Sequence, residues 1–151
     1  MQPSPAVKHD TMTELVTFYI GTSLCGIDIG DIQEINKQTA NLTWVPNAPD
    51  YVIGVLNLRG MIVTILDLGK KLGLSPLKLG KTSRNIIVHY GDELVGIMVD
   101  EVSEVLSAKA DNIEPAPANL GGVQGKFFCG VLKTDRHLIG ILDIKKALTD
   151  E

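Results

Sequence analysis

An all-β fold of two related lobes is what this sequence predicts, and three observations predict it. The apolar runs are strand-sized, rich in β-branched residues and interrupted by Gly or a charge. Within Tyr51 to Leu72, two such runs, Val52-Ile53 with Val55-Leu56 and then Met61 to Leu66, flank Asn57-Leu58-Arg59-Gly60, which is a hairpin signature. A block of strands then recurs later in the chain in the same order.

The repeat is explicit. Leu24-Cys25-Gly26-Ile27-Asp28-Ile29-Gly30-Asp31-Ile32-Gln33-Glu34-Ile35 follows the same pattern as Leu94-Val95-Gly96-Ile97-Met98-Val99-Asp100-Glu101-Val102-Ser103-Glu104-Val105. Gly54-Val55-Leu56 with Ile65 to Leu72 matches Gly130-Val131-Leu132 with Ile141 to Leu148. Self-similarity in two ordered blocks means one supersecondary unit used twice, the first over about 15–80 and the second over about 84–150. Each closing run ends in Asp followed by a short amphipathic stretch with paired lysines, Asp67 to Leu72 and Asp143 to Leu148. These read as short helices, one of them at the C-terminus, whose first free amides the Asp caps. A catalytic carboxylate is the alternative, but neither end supplies a partner acid or base.

Taken in order, Met1 to Thr13 carries two prolines and no periodicity and is expected to be a flexible tail, with the domain starting near Glu14. Leu15 to Ile20 is a strand, Gly21-Thr22 a turn, and Leu24 to Ile29 a second strand, after which Asp31 to Ile35 suggests a single helical turn. Val45-Pro46 and Ala48-Pro49 force extended backbone and deliver the chain into the hairpin. In that turn Asn and Gly tolerate unusual backbone angles, whereas Leu58 and Arg59 are expected to point outward, so the turn reads as presented surface. A solvated loop charge is the plainer reading of Arg59. Ser75-Pro76 with Lys78, Lys81 and Arg84 makes a polar crossover. Asn112 to Gln124, with Pro115, Pro117, Gly121 and Gly122, describes a long loop before the final hairpin.

Composition narrows the function. A chain of 151 residues suffices for one domain or two small lobes sharing a core. A net charge of -4 and a pI near 5.3 argue against a nucleic-acid partner, which needs clustered Lys and Arg. No run could span a bilayer and no secretion signal opens the chain, so membrane insertion is not expected and a cytoplasmic home is. Cys25 and Cys129 stand in no ligand spacing and read as part-buried free thiols, while His9, His89 and His137 are scattered; neither a metal nor a cofactor is expected. No nucleophile with a base, no paired carboxylates and no phosphate-cradling loop is legible. A module that binds other proteins is the first reading; an enzyme or small-ligand sensor using a cleft between lobes is the second.

The run Gly54-Val55-Leu56-Asn57-Leu58-Arg59-Gly60-Met61-Ile62-Val63, continued by Ile65-Leu66-Asp67-Leu68, closely resembles the signature of the CheW-like family of chemotaxis coupling proteins. So do Gly96 to Leu106 and the closing Gly130 to Leu148. Thr64 departs from the pattern, standing where members often carry proline; a strand accepts it readily. The resemblance covers nearly the whole chain from Glu14 onward and implies a single CheW-like domain over 14–151, built as two five-stranded SH3-like β barrels packed together. It implies a non-enzymatic, cytoplasmic adaptor, monomeric when isolated, that joins chemoreceptor (methyl-accepting chemotaxis protein) tips to the regulatory domain of the histidine kinase CheA. That kinase domain is itself similar, but the length of the chain favours a separate module, and a fused receiver domain is not expected. The family picture sets the receptor tip against the groove between lobes, with Arg59, Glu34, Gly54, Asn57, Leu58 and Gly60 at the receptor surface. Ile32, Val55 and Leu56 are either groove residues or ordinary core. Lys133-Thr134-Asp135-Arg136 in the second unit has no counterpart of the first unit's turn. Glu34 and Glu104 occupy the same place in their units, yet only the first unit has an Arg at the third place of the matching turn, where the second has Asp135, so Glu34 and Arg59 are expected to meet.

Overall fold

Strands of β-branched residues end where Gly, Asn or Asp permits a turn, and the chain follows that punctuation closely. A computed structural model describes residues 11–37, 42–74, 76–120 and 123–149. In chain order these form β1 (Met12–Ile20), β2 (Ser23–Asp28), β3 (Ile32–Asn36), β4 (Val52–Leu58), β5 (Met61–Asp67), α1 (Leu68–Lys71), β6 (Arg84–Tyr90) and β7 (Glu93–Val99). There follow β8 (Glu101–Lys109), β9 (Ile113–Glu114), β10 (Asn119–Leu120), β11 (Val123–Gln124), β12 (Phe128–Lys133), β13 (Leu138–Leu142) and α2 (Ile144–Leu148).

The two units exchange strands. One sheet runs β3-β6-β7-β5-β4 and holds the NLRG hairpin; a second runs β8-β1-β2-β13-β12-β9; β10 and β11 pair separately. The hairpin β6–β7 of the second unit therefore sits beside β5 of the first, and β1–β2 of the first beside β13 of the second, through parallel contacts in otherwise antiparallel sheets. Each lobe is thus completed by the other unit. The chain changes lobe at matching places, through a 3-10 turn at Ile29–Asp31 after β2 and at Asp100 after β7. Asp100 fastens that crossing by accepting from the backbone N–H groups of Gly21 (2.5 Å) and Lys78 (3.0 Å).

Three apolar clusters follow from this exchange. One lies within the hairpin lobe (Leu56, Leu58, Val63, Ile65, Ile87, Met98) and one within the other lobe (Leu15, Ala108, Leu132, Ile139, Ile141). The largest spans both, with Phe18, Ile20, Cys25 and Ile27 meeting Ile86, Val88, Ile97 and Val99, and α2 closing it through Ile144, Ala147 and Leu148. Burial of such side chains stabilises by roughly 1.5–3 kcal/mol each, so the lobes are held to one another by the same force that holds each together.

The helix starts are as expected. Asp67 Oδ1 accepts from the Lys70 N–H and Asp143 Oδ1 from the Lys146 N–H, each at 3.1 Å, and the paired lysines fall in the last turn. Several details differ. The helical turn falls at Ile29–Asp31 rather than Asp31 to Ile35, because Asp28 caps it through the Gly30 N–H at 2.9 Å and Ile32–Asn36 is claimed by pairing with β6. β1 runs back to Met12 because β8 pairs with it that far. The stretch from Asn112 to Gln124 carries short strands, and β9, on the edge of β12, makes the second lobe six-stranded rather than five. Cys25 is buried, but Cys129 on β12 is exposed. Gly121, Gly122 and most of the expected N-terminal tail lie outside the described residues.

Candidate functional site

Alternation along β4 and β5 decides which side chains the hairpin presents. On β4, Gly54, Leu56 and Leu58 are buried while Val55 is half-buried and Asn57 exposed; on β5, Val63 and Ile65 are buried and Ile62 is exposed. Leu58 pairs with Met61, leaving Arg59 and Gly60 as a two-residue turn. Both have positive φ, 49° at Arg59 and 86° at Gly60, the combination that matches the twist of flanking strands. Glycine adopts it freely. An arginine there costs roughly 1–2 kcal/mol, so Arg59 is held in place against its own backbone preference. The Asn57 side chain secures the turn by accepting from the Gly60 N–H at 3.0 Å.

Gly54 has a different reason. Thr43 pairs with Val55 through two backbone hydrogen bonds of 2.9 and 2.8 Å, and a Cβ on Gly54 would lie 2.6 Å from the Thr43 carbonyl oxygen. The approach of that segment to β4 requires a residue without a side chain.

The guanidinium of Arg59 donates to Glu34 Oε1 on β3. Because β3 and β4 are the two edge strands of their sheet, this contact joins opposite edges and shows how far the sheet curls. The Arg59 hydrogen bond holds the Glu34 carboxyl below the usual carboxylate range, with Asn36 lending a second one from Nδ2 to Oε2 at 3.4 Å and desolvation opposing both. Glu34 is 24% exposed and Arg59 69%, so the acid is sheltered and the guanidinium faces solvent.

The structure therefore brings Glu34, Asn57, Arg59 and Gly60 together at one lobe edge, with Gly54 buried behind them. It corrects the expectation for Leu58, which does not point outward: it lies on the inward side of β4 and is 5% exposed in the hairpin lobe's core. Leu56 is likewise core. Ile32 packs on the central cluster while half-buried, and Val55 is half-buried on the opposite side of β4 from Leu56. Sequence reading passed over Trp44 (74% exposed) and Ile62 (67%), large apolar residues facing solvent. Strand parity could have found Ile62, since Val63 and Ile65 on either side of Thr64 face inward. Trp44, in an irregular segment, carries no such signal.

A cavity of about 630 Å³ opens elsewhere, where His89 and Tyr90 of the hairpin lobe face Leu142 to Lys145, with Asp28 and Asp31 on its wall. Burial, then Asp28 and Asp143, push the Asp31 carboxyl up, against His89. None of the nine residues expected at the receptor surface lines it. Among the described residues, no three His, Cys, Asp or Glu side chains are grouped to hold a metal ion, and no helix is long and apolar enough to cross a membrane.

Two β lobes sharing one core, with a charged hairpin held out from an edge, define a scaffold-type binding module. The CheW-like domain family matches residues 14–151. The chain is 36% identical to the chemotaxis protein CheW of Klebsiella aerogenes, over 91% of its own length and 82% of the relative's. It is 31% identical to that of Helicobacter pylori, over 93% and 84%. The solved scaffolding protein TtCheW of Thermoanaerobacter tengcongensis superposes with a TM-score of 0.86 at 30% identity, covering 100% of this chain and 96% of the other. The chain belongs to the CheW-like family and is an adaptor of chemotaxis signalling.

Proposed function

We propose that the protein is a non-enzymatic, cytoplasmic adaptor that couples the cytoplasmic tips of chemoreceptors to the regulatory domain of the histidine kinase CheA. The observation that carries the reading is Arg59, mostly exposed on a strained turn and anchored by Glu34. An exposed ion pair contributes only about 0–1 kcal/mol to folding, too little to account for an arginine kept at positive φ. A guanidinium fork so presented suits the carboxylates and carbonyls of a helical tip. Gly54, Asn57 and Gly60 shape the turn, Ile32 and Val55 offer apolar surface, and Leu56 and Leu58 act from beneath by fixing β4. Kinase contacts fall on other lobe ends.

A pull-down with receptor cytoplasmic fragments and with CheA tests this. Retention of both supports the adaptor; binding of neither, together with tight uptake of a metabolite, points instead to a sensor built on the cavity beside His89.

A further inference from the structure

The two lobes are built from equivalent strands, and at one equivalent place they differ in kind. In the second lobe Leu15 on β1 pairs with Leu106 on β8; at the matching position of the hairpin lobe Asn85 on β6 pairs with Asn36 on β3. Neighbouring pairs confirm the match: Ile35 faces Ile86 as Val105 faces Val16, and Ile32 faces Val88 as Val102 faces Phe18. Leu15 and Asn85 are both fully buried. An amide therefore stands where the fold demonstrably accepts leucine, and burying it brings a desolvation cost that the leucine pair avoids.

The asparagines are linked. Asn85 Nδ2 donates to Asn36 Oδ1 at 3.3 Å, Asn36 Nδ2 donates to Glu34 Oε2 at 3.4 Å, and Glu34 Oε1 accepts from Arg59. A hydrogen-bonded chain thus runs from the interior of the sheet to the exposed guanidinium. The second lobe repeats the acid as Glu104 but carries Leu106 and Leu15 in place of the two asparagines.

We propose that Asn36 and Asn85 are positioning residues for Arg59: they fix the plane of the Glu34 carboxylate, which in turn fixes the guanidinium in one orientation. Asn85 anchors the Asn36 amide, Asn36 occupies one carboxylate oxygen, and the other is left aimed at Arg59. Without the pair, Glu34 turns more freely and the guanidinium samples several directions, so a partner must order it on binding. That this orientation serves receptor binding rests on the reading of Arg59 given above; the orientation itself does not.

The test uses the full chain with Asn36→Leu and Asn85→Leu together, the pair that the second lobe already tolerates. The Glu34 carboxyl is titrated by NMR, Arg59 side-chain signals are followed, and affinity for a receptor cytoplasmic fragment is measured. The expected result is a melting temperature at or above that of the parent, a Glu34 midpoint moved upward, averaged Arg59 guanidinium signals, and affinity lowered roughly two- to tenfold. A Glu34 midpoint and Arg59 signals equal to the parent's overturn the proposal. Should the double variant not fold, Asn36→Ala, at a half-buried position, gives the same two readouts. If Arg59→Glu leaves receptor affinity untouched, the receptor reading fails alone, and the relay is judged on the titration and the guanidinium signals.

Discussion

Arg59 and Glu34 join the two edges of the hairpin lobe's sheet, one from the β4–β5 turn and the other from β3. The acid is the sheltered partner and the base the presented one, so the pair divides into an anchor and a contact. Its pH dependence follows from the anchor. Because the folded Glu34 pKa is lowered, the pairing contributes fully above the unfolded value of about 4.3 and is lost as pH falls through the folded pKa. Receptor affinity should be flat from neutral pH to about pH 5 and fall in stronger acid. In Arg59→Gln, which removes the largest cause of the shift, the Glu34 midpoint should return toward the ordinary carboxylate range.

The turn separates stability from function. Arg59→Asn puts at φ 49° a residue that tolerates the left-handed region, next to Gly60 in the favoured Asn-Gly order. Thermal melting should show equal or higher stability while receptor binding falls. Gly60→Ala, at φ 86°, should cost about 1 kcal/mol although nothing lies within 4 Å of its Cβ.

Gly54→Ala should destabilise by about 1–3 kcal/mol, because its Cβ meets the Thr43 carbonyl and must push that segment off β4. Hydrogen exchange at the Thr43 and Val55 amides should rise in this variant and stay unchanged in Asn57→Ala.

Leu58→Ala and Ile32→Asn test core against surface. The first empties a core position and should cost about 2–5 kcal/mol in chemical denaturation. The second, at a half-buried position, should weaken receptor binding with a smaller loss of stability; a loss as large as that of Leu58→Ala would make Ile32 core.

Cys129 should react with a water-soluble thiol reagent while Cys25 does not. Burial pushes the Cys25 thiol up to about 12 and encloses it; Cys129 is also raised, by burial and by Asp143, but is exposed. Mass spectrometry of the labelled native protein should find one adduct, forming faster as pH rises.

Much of this was legible because it is local. A hairpin between β-branched runs, and Asp before a short amphipathic stretch, are decided by a few neighbouring residues, and both stand where the sequence places them. The Glu34–Arg59 contact was legible from the repeat, since an acid shared by both units and an arginine at a turn place where the second unit has Asp135 narrow the choice of partner. The exchange of β6–β7 and β1–β2 between units was not, because pairing β5 with β7 rather than with a strand of its own unit depends on contacts distant in sequence. Leu58 misled for a related reason. Reading Asn57 to Gly60 as a four-residue turn turned Leu58 outward, whereas the two-residue turn keeps it in strand parity with Leu56. Nor does the sequence reveal that Asn36 faces Asn85, which register alone sets.

The account turns on Arg59 as a presented contact, and its charge reversal measures that most directly. Purified Arg59→Glu is compared with the parent for binding to a receptor cytoplasmic fragment and to CheA, beside circular dichroism and melting. The account predicts lost receptor binding, CheA affinity nearly unchanged, and a folded protein within about 1 kcal/mol of the parent. The swap Glu34→Arg with Arg59→Glu should not restore receptor binding, since the pair would re-form with the wrong charge outward. Full receptor binding by the single Arg59→Glu variant would contradict the account and make Arg59 an ordinary solvated charge.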